Sequence, residues 1–366
     1  MTTPFLATAG RVLSAPTEYK VYFGTYTRSG KSKGIYLSSF NSATGVLSAP
    51  ELAGEMGNPS FLTIHPNRLR LYAVTEGPES TVNAFSIDPA SGKLTAINQV
   101  MARGSSACYV VVDDAGTHAL IANYGTGSVA AFPLNTDGRL GEASAFIKHE
   151  GSSVDKKRQA GSHAHSINLS ADNRFAIAAD LGTDQVVVYK YDTVKGTLTP
   201  NDPPFVKVKP GSGPRHFAFH PKGKFAYVIN EMGSSVTAFS WDRKRGVLKE
   251  LQTISTLPAD FKGENNCAEV QVHQSGKFVY GSNRGHDSIA VYKVDQGKGT
   301  LTMVEQVSTQ GKTPRNFRMD PTGGYMLAAN MYSDSVVVFK VDQNTGKLTP
   351  TGQKIEVGSP VCMKFL

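Results

Sequence analysis

GPRHFAFHPKGKFAYVINEMGSSVTAFSWDRKRGVLKELQTIS (213–255) holds four short runs, PRHFAFHP, KFAYVIN, SVTAFSW and LKELQTIS, each with β-type alternation and each separated from the next by a polar turn. The second run ends in a short polar residue, and that phrase recurs. It reads VYFGT to Thr25, LYAVT to Thr75, ALIAN to Asn123, AIAAD to Asp180, AYVIN to Asn230, VYGSN to Asn283 and MLAAN to Asn330. A Gly-x-Leu turn keeps the same beat at Gly45, Gly92, Gly138, Gly196, Gly246, Gly299 and Gly346. Seven units with a period of about 50 residues indicate a repeat architecture. No segment shows sustained helical periodicity, and the punctuation is the Gly, Asp, Asn and Pro chemistry of hairpins. Four antiparallel strands per unit, repeated radially, make an all-β, seven-bladed β-propeller.

The ends fit this reading. The repeat opens on a second strand, YKVYFGTYT (19–27), and finishes on an isolated first strand, SPVCMKFL (359–366). Pairing the two completes the seventh blade and closes the ring, which leaves only short sheet edges. A single propeller domain over 19–366 is expected, with residues 1–18 as an extension outside the repeat. That extension lacks the basic start and long apolar core of a secretory leader. Three cysteines, Cys108, Cys267 and Cys362, form no CxxC pair. This favours the cytoplasm, with periplasm or secretion open only for a chain whose leader has been removed. A monomer is the default for a closed ring.

The chain has 19% charged and 40% hydrophobic residues, and no apolar run long enough to span a bilayer. Its formal net charge of +8 favours anionic partners. The basic blocks KKR (156–158) and RKR (243–245) are short and not interleaved with aromatics, so nucleic acid is not expected.

In a four-stranded meander the start of the innermost strand and the end of the second lie on one face of the disc. Counting back fifteen residues from each strand end gives the inner starts Ser60, Cys108, His165, Arg215, Ala268 and Arg315, with Val361 in the closing strand. Counting forward one gives Tyr26, Glu76, Tyr124, Leu181, Glu231, Arg284 and Met331. Charged groups gathered at a channel mouth are costly unless paired or functional. An ion-pair ring locking the blades would explain some of them, but cations outnumber carboxylates. A carboxylate and a histidine among arginines suit hydrolysis or isomerisation of an anionic substrate: the arginines hold the anion and one of the other two moves a proton. HAH (163–165) lacks the further ligands of a known metal spacing, and His163 reads as a loop residue flanking the pocket. No GxSxG nucleophile elbow is present. The single WD (241–242) occupies the slot of a turn aspartate.

GSHAHSINLSADNRFAIAADLGTDQVVVYKYD (161–192), GPRHFAFHPKGKFAYVINE (213–231) and SGKFVYGSNRGHDSIAVY (275–292) resemble the seven-bladed propeller lactonases, which include propeller-type 6-phosphogluconolactonases and fungal carboxy-muconate lactonizing enzymes. The likeness runs from Val21 to Leu366. It implies a site without metal or cofactor whose catalytic residues here are His165, Arg215, Glu231 and Arg284. His163, Arg315 and Glu269 complete the expected site as substrate-binding residues. Cys108 and Tyr109 depart from any fixed pattern. The implied reaction is hydrolysis of a small anionic sugar δ-lactone, 6-phosphogluconolactone first, with Glu231 or His165 as base and Arg215 and Arg284 on the anion or oxyanion. The connector 141–163 would bring Lys156, Lys157 and Arg158 over the substrate. Glu231→Gln is expected to cut turnover with the fold intact. A lactonizing cycloisomerase on a muconate-type diacid would use the same groups, and a non-catalytic interaction propeller would instead need a flat apolar rim.

Overall fold

The computed structural model describes residues 17–366. The expectation for the amino-terminal stretch 1–18 therefore lies outside the described residues, except for Thr17 and Glu18, and Glu18 already opens the first strand. Among the described residues twenty-eight strands form seven four-stranded antiparallel sheets. Each innermost strand packs against the innermost strands of the blades before and after it, and the series closes where Pro360–Phe365 meets both Pro314–Met319 and Pro59–Ile64.

The second strands explain the repeated phrase. His118–Asn123, Phe175–Asp180, Phe225–Asn230 and Tyr325–Asn330 are buried at every position. A strand with a neighbouring blade on each face reads as a continuous apolar run, not as an alternation. Apolar clusters accordingly span blade junctions, as where Tyr227, Ile229 and Val236 pack with Val279 and Tyr292. The polar residue at the strand end closes the following turn: Asn230 Nδ2 donates to Ser235 Oγ at 3.0 Å and Asn283 Nδ2 to Ser288 Oγ at 3.1 Å.

The Gly-x-Leu turns serve the next junction. The phenols of Tyr22, Tyr72, Tyr227 and Tyr280 donate to the carbonyls of Gly92, Gly138, Gly299 and Gly346 in the following blade at 2.7–3.1 Å. Gly346 adopts φ +77°, and a Cβ there would meet the Phe278 ring at 2.5 Å, so only glycine fits. Asp242 of the WD pair accepts from Lys244 and Arg245 N–H groups and caps its own turn.

Each inner strand carries a β-bulge at its start. The ladder steps from Pro59 to Phe61, Ala107 to Tyr109, Ala164 to Ser166, Pro214 to His216 and Pro314 to Asn316, leaving out Ser60, Cys108, His165, Arg215 and Arg315. In the closing strand Val361 is skipped, and in Asn266–Val272 two residues are, Ala268 and Glu269. A bulge frees a residue from the ladder and re-aims its side chain. Ser60, Cys108, His165, Arg215, Ala268 and Arg315 are the positions fifteen residues before their strand ends, and the bulge is the device that frees them from the ladder.

The ring is closed by Val21↔Phe365, Phe23↔Met363 and Gly24↔Cys362, and Cys362 and Met363 are buried. Deleting residues 361–366 is expected to cost roughly 5 kcal/mol or more, from the lost core side chains and the exposed edge. Global stability is typically 5–15 kcal/mol, so a chemical-denaturation midpoint equal to that of the full chain would refute this role for the closing strand.

Candidate active site

Bulge residues and strand-end residues from all seven blades converge on one mouth of the channel. A cavity of 180 Å³ there is lined by Tyr26, Glu76, Cys108, Tyr124, Arg158, His165, Glu231, Arg284 and Arg315. The convergence is set by backbone bonds just outside the bulge. Glu231 N–H donates to Gly213 O at 2.7 Å and Leu181 N–H to His163 O at 2.9 Å, so the residue after each second strand stays beside the start of the inner one. In the His165 blade, Asp180 Oδ1 also accepts from the N–H groups of His163, Gly182 and Thr183, which fixes the HAH segment.

Glu231 is the hub. Its Oε2 accepts from Arg215 Nε and Arg284 Nη2, both at 2.9 Å, and its Oε1 from Arg158 Nη2 at 2.6 Å. Burial would raise its pKa, but Arg284, Arg215 and Arg158 outweigh burial and hold the carboxyl at about 2. Arg215 is only 2% exposed and lies beneath the cavity, not on its wall. Its Nη1 donates to Ala268 O at 2.7 Å and contacts His216 Nε2 at 3.1 Å. Burial, reinforced by Arg315 and Arg284, lowers its pKa to about 10, which leaves it protonated at neutral pH. Arg284 spends further donors on Asn266 O and Cys267 O. Arg315 makes one looser contact, 3.7 Å from Glu76, and packs over the Tyr26 ring. Five guanidiniums thus meet two carboxylates, Glu76 and Glu231, with Arg28 the outermost at 3.9 Å from Glu76, and the excess positive charge suits an anion.

His165 lines the cavity, buried. Burial first, then Arg215, His216 and Arg315, push its pKa well below the usual value, so the ring is neutral at pH 7. Its Nδ1 lies 3.6 Å from Cys108 Sγ, whose thiol burial holds protonated.

Not every expected residue reaches the cavity. His163 stands behind it, stacked on Tyr124 with ring centroids 4.5 Å apart and Nδ1 bonded to Tyr124 O. Glu269 is one residue past the bulge position of Ala268, so it points into the layer below, as His216 does after Arg215, and pairs with His216 Nδ1 at 3.3 Å, away from the cavity wall. The connector 141–163 contains the outer strand Ala145–Lys148, so the free segment begins at His149. Of its basic block, Lys156 and Lys157 face solvent and only Arg158 reaches the site. Asp155 caps the turn that presents Arg158, and buried Gln159 anchors it by donating to Leu181 O. Register counting cannot find Arg158, because it comes from a loop outside the repeat. The aromatics that an interaction rim would need belong to the charged site instead: Tyr26 OH donates to Glu76 at 2.7 Å, and Tyr124 OH accepts from Arg158. Among the described residues no three His, Cys, Asp or Glu side chains cluster in a way that would hold a metal ion, and no helix is long and apolar enough to cross a membrane.

The family described as lactonase, 7-bladed beta-propeller, matches residues 20–365. The chain is 40% identical to a 6-phosphogluconolactonase of Bacillus subtilis over 351 residues, covering 96% of this chain and 99% of that protein. It is 32% identical to a 6-phosphogluconolactonase of Formosa agariphila, covering 83% of this chain and 87% of the relative. The solved structure of a periplasmic gluconolactonase of Pseudomonas aeruginosa superposes with a TM-score of 0.90 at 35% identity, over 95% of this chain and 99% of that one.

Proposed function

The chain belongs to the family of seven-bladed β-propeller lactonases, and we propose that it is a carboxylic-ester hydrolase opening a sugar δ-lactone, with 6-phosphogluconolactone as substrate and His165 as general base. The observation that supports this division of roles is the state of Glu231. Both of its oxygens are committed to guanidiniums and its proton affinity is low, so it orients the arginines and is ill placed to accept a proton. His165 is the neutral acceptor left on the wall. An anionic substrate would offset the arginines that depress its pKa and raise its basicity as the complex forms.

Water adds to the lactone carbonyl while His165 takes one of its protons. The developing oxyanion faces Arg284 and Arg315, whose donors need no reorganisation. Collapse breaks the bond from the carbonyl carbon to the ring oxygen, and the imidazolium returns its proton to that oxygen, releasing the hydroxy acid. Arg215 supports the same charge from beneath, through Glu231 and through its field. Arg158, from the connector, is placed to meet the phosphate at the rim. No step in this sequence uses a metal or cofactor, and the ring acts as a monomer with a small-molecule partner.

Freshly generated 6-phosphogluconolactone and unphosphorylated gluconolactone, each assayed against its spontaneous rate with EDTA present, test the reading. Turnover of the phosphorylated lactone is expected to exceed that of the other by roughly tenfold or more, the scale of one charge-assisted contact. Equal rates would remove the phosphate preference; no turnover above background would remove the hydrolase.

A further inference from the structure

A second, larger cavity of 480 Å³ lies deeper in the channel, toward the opposite mouth. Its wall includes Tyr109, Asn168, Phe219, Glu269, Gln271 and Arg318. A floor of bonded groups divides it from the candidate active site: Arg215 Nη1 to His216 Nε2, His216 Nδ1 to Glu269 Oε2, and Asn316 Nδ2 to the same Glu269 oxygen. Below this floor the inner strands present Arg318, and Lys364 follows two residues after Cys362 on the closing strand.

The donors and acceptors of this layer do not balance. Arg318 and Lys364 are half-buried, and among the described residues neither has a carboxylate within 4.0 Å. Lys364 Nζ packs 4.6 Å over the Phe61 ring, which itself stacks on Tyr109 of the cavity wall. Nδ2 of Asn168 is buried without an acceptor, since the amide oxygen is taken by Tyr109 OH. The nearby carboxylates are committed elsewhere. Glu269 serves His216, Asn316 and its own neighbour Val270 N–H, and Asp320 caps its own turn through Thr322 and Tyr325. Gln271 spends both ends on the backbone of the adjacent inner strand. Arg318 and the Asn168 amide therefore line a polar cavity with few acceptors left to meet them, and Lys364 stands beside it on the closing strand, which packs against the strand of Arg318. Burial lowers the proton affinity of the Lys364 ammonium; Cys362 opposes that shift and Arg318 adds to it. Cations held together in this way gain most from a shared ligand rich in acceptor oxygens.

We infer that this cavity is a second binding site, for a small oxyanion carrying a phosphate or carboxylate group, separate from the candidate active site on the opposite face. Arg318 supplies the planar donor fork, Lys364 the point charge and Asn168 the neutral donor.

The full-length protein titrated with inorganic phosphate, and in parallel with gluconate, tests this by thermal shift and calorimetry. Phosphate is expected to raise the melting temperature saturably, and the rise should survive Arg315→Gln, which alters only the site face. Arg318→Gln and Lys364→Met should each weaken that response about tenfold, one charge-assisted contact apiece. Lys364→Arg should retain it. Without ligand, Lys364→Met should melt no lower than wild type, because it removes an unpaired cation from a half-buried place. A gluconate response lost in the same two variants would identify a general carboxylate and phosphate site, whereas a response to phosphate alone would identify a phosphate site. If the phosphate effect is absent in wild type, or disappears in Arg315→Gln while persisting in Arg318→Gln and Lys364→Met, the second site does not exist. Should either variant fail to fold, crystals of the wild type soaked in phosphate decide the matter by density, or its absence, between Arg318 and Lys364.

Discussion

His165→Asn is expected to lower kcat for the lactone by about 10²–10⁴-fold, the usual contribution of a positioned general base, while leaving the melting temperature close to wild type. The stability expectation follows from its contacts. The ring's polar contact is a weak one with the Cys108 thiol, and the ladder passes it by. The pH profile separates a base from a merely space-filling residue. Burial and Arg215 hold the imidazole pKa well below 6.5, so kcat/KM should stay level from pH 7.5 through 6.5 and fall only at lower pH. The variant should lose this acid limb along with its rate. A variant that kept the limb would place the titrating base elsewhere. The stability of the fold has its own acid dependence, and its sign can be worked out. His216 titrates at about 4 in the folded chain and near 6.5 when unfolded, so below 6.5 the unfolded state binds more protons. Stability is complete above pH 6.5 and declines as pH falls toward 4.

Glu231→Gln should be the most damaging single substitution in the site, for two reasons that reinforce each other. The amide can no longer neutralise Arg215 and Arg284, and it turns a donor toward one of them. Removing one partner of a buried ion pair costs about 3–5 kcal/mol, a large share of a domain's stability. The reading of the sequence alone, turnover lost with the fold intact, changes once the carboxylate is seen to hold three guanidiniums. Turnover should fall with stability, because Arg215 and Arg284 lose the group that aims them. In the wild type, the folded pKa of about 2 against an unfolded value near 4.5 means that this contribution is complete above pH 4.5 and fades as pH approaches 2. Urea denaturation of the variant at pH 7 measures the loss. A midpoint equal to wild type would show that the arginines tolerate one another without the carboxylate.

Much of this arrangement can be read from the chain, because a propeller converts sequence period directly into position. The spacing of Asn230 from Arg215 repeats as that of Asp180 from His165 and Asn330 from Arg315, and equal spacing in equal blades means equal height on the disc. That logic brings His165, Arg215, Glu231, Arg284 and Arg315 to one mouth, where the structure has them. Glu269 stands one residue past the bulge slot of Ala268, as His216 stands past Arg215 and Asn316 past Arg315, so equal height on the disc puts it with those two in the layer below and not at the mouth. The logic falters where the period is broken. Arg158 belongs to an insertion with no counterpart in other units, so no register predicts its reach to Glu231. Burial is likewise absent from the period: Arg215 and Arg315 occupy equivalent slots, yet one lies beneath the cavity and the other on its wall.

The bulges have an evolutionary corollary. Ser60, Cys108, His165, Arg215, Ala268, Arg315 and Val361 all stand outside the backbone ladder. Their side chains can therefore be exchanged without breaking a sheet hydrogen bond, and the chemistry at the mouth can drift while the blades stay under separate selection. Such a scaffold presents seven addresses at one mouth, and exchanging their occupants in coupled sets, as Arg215 with its partner Glu231, is a route to new substrate specificities that leaves the ladder of the ring untouched.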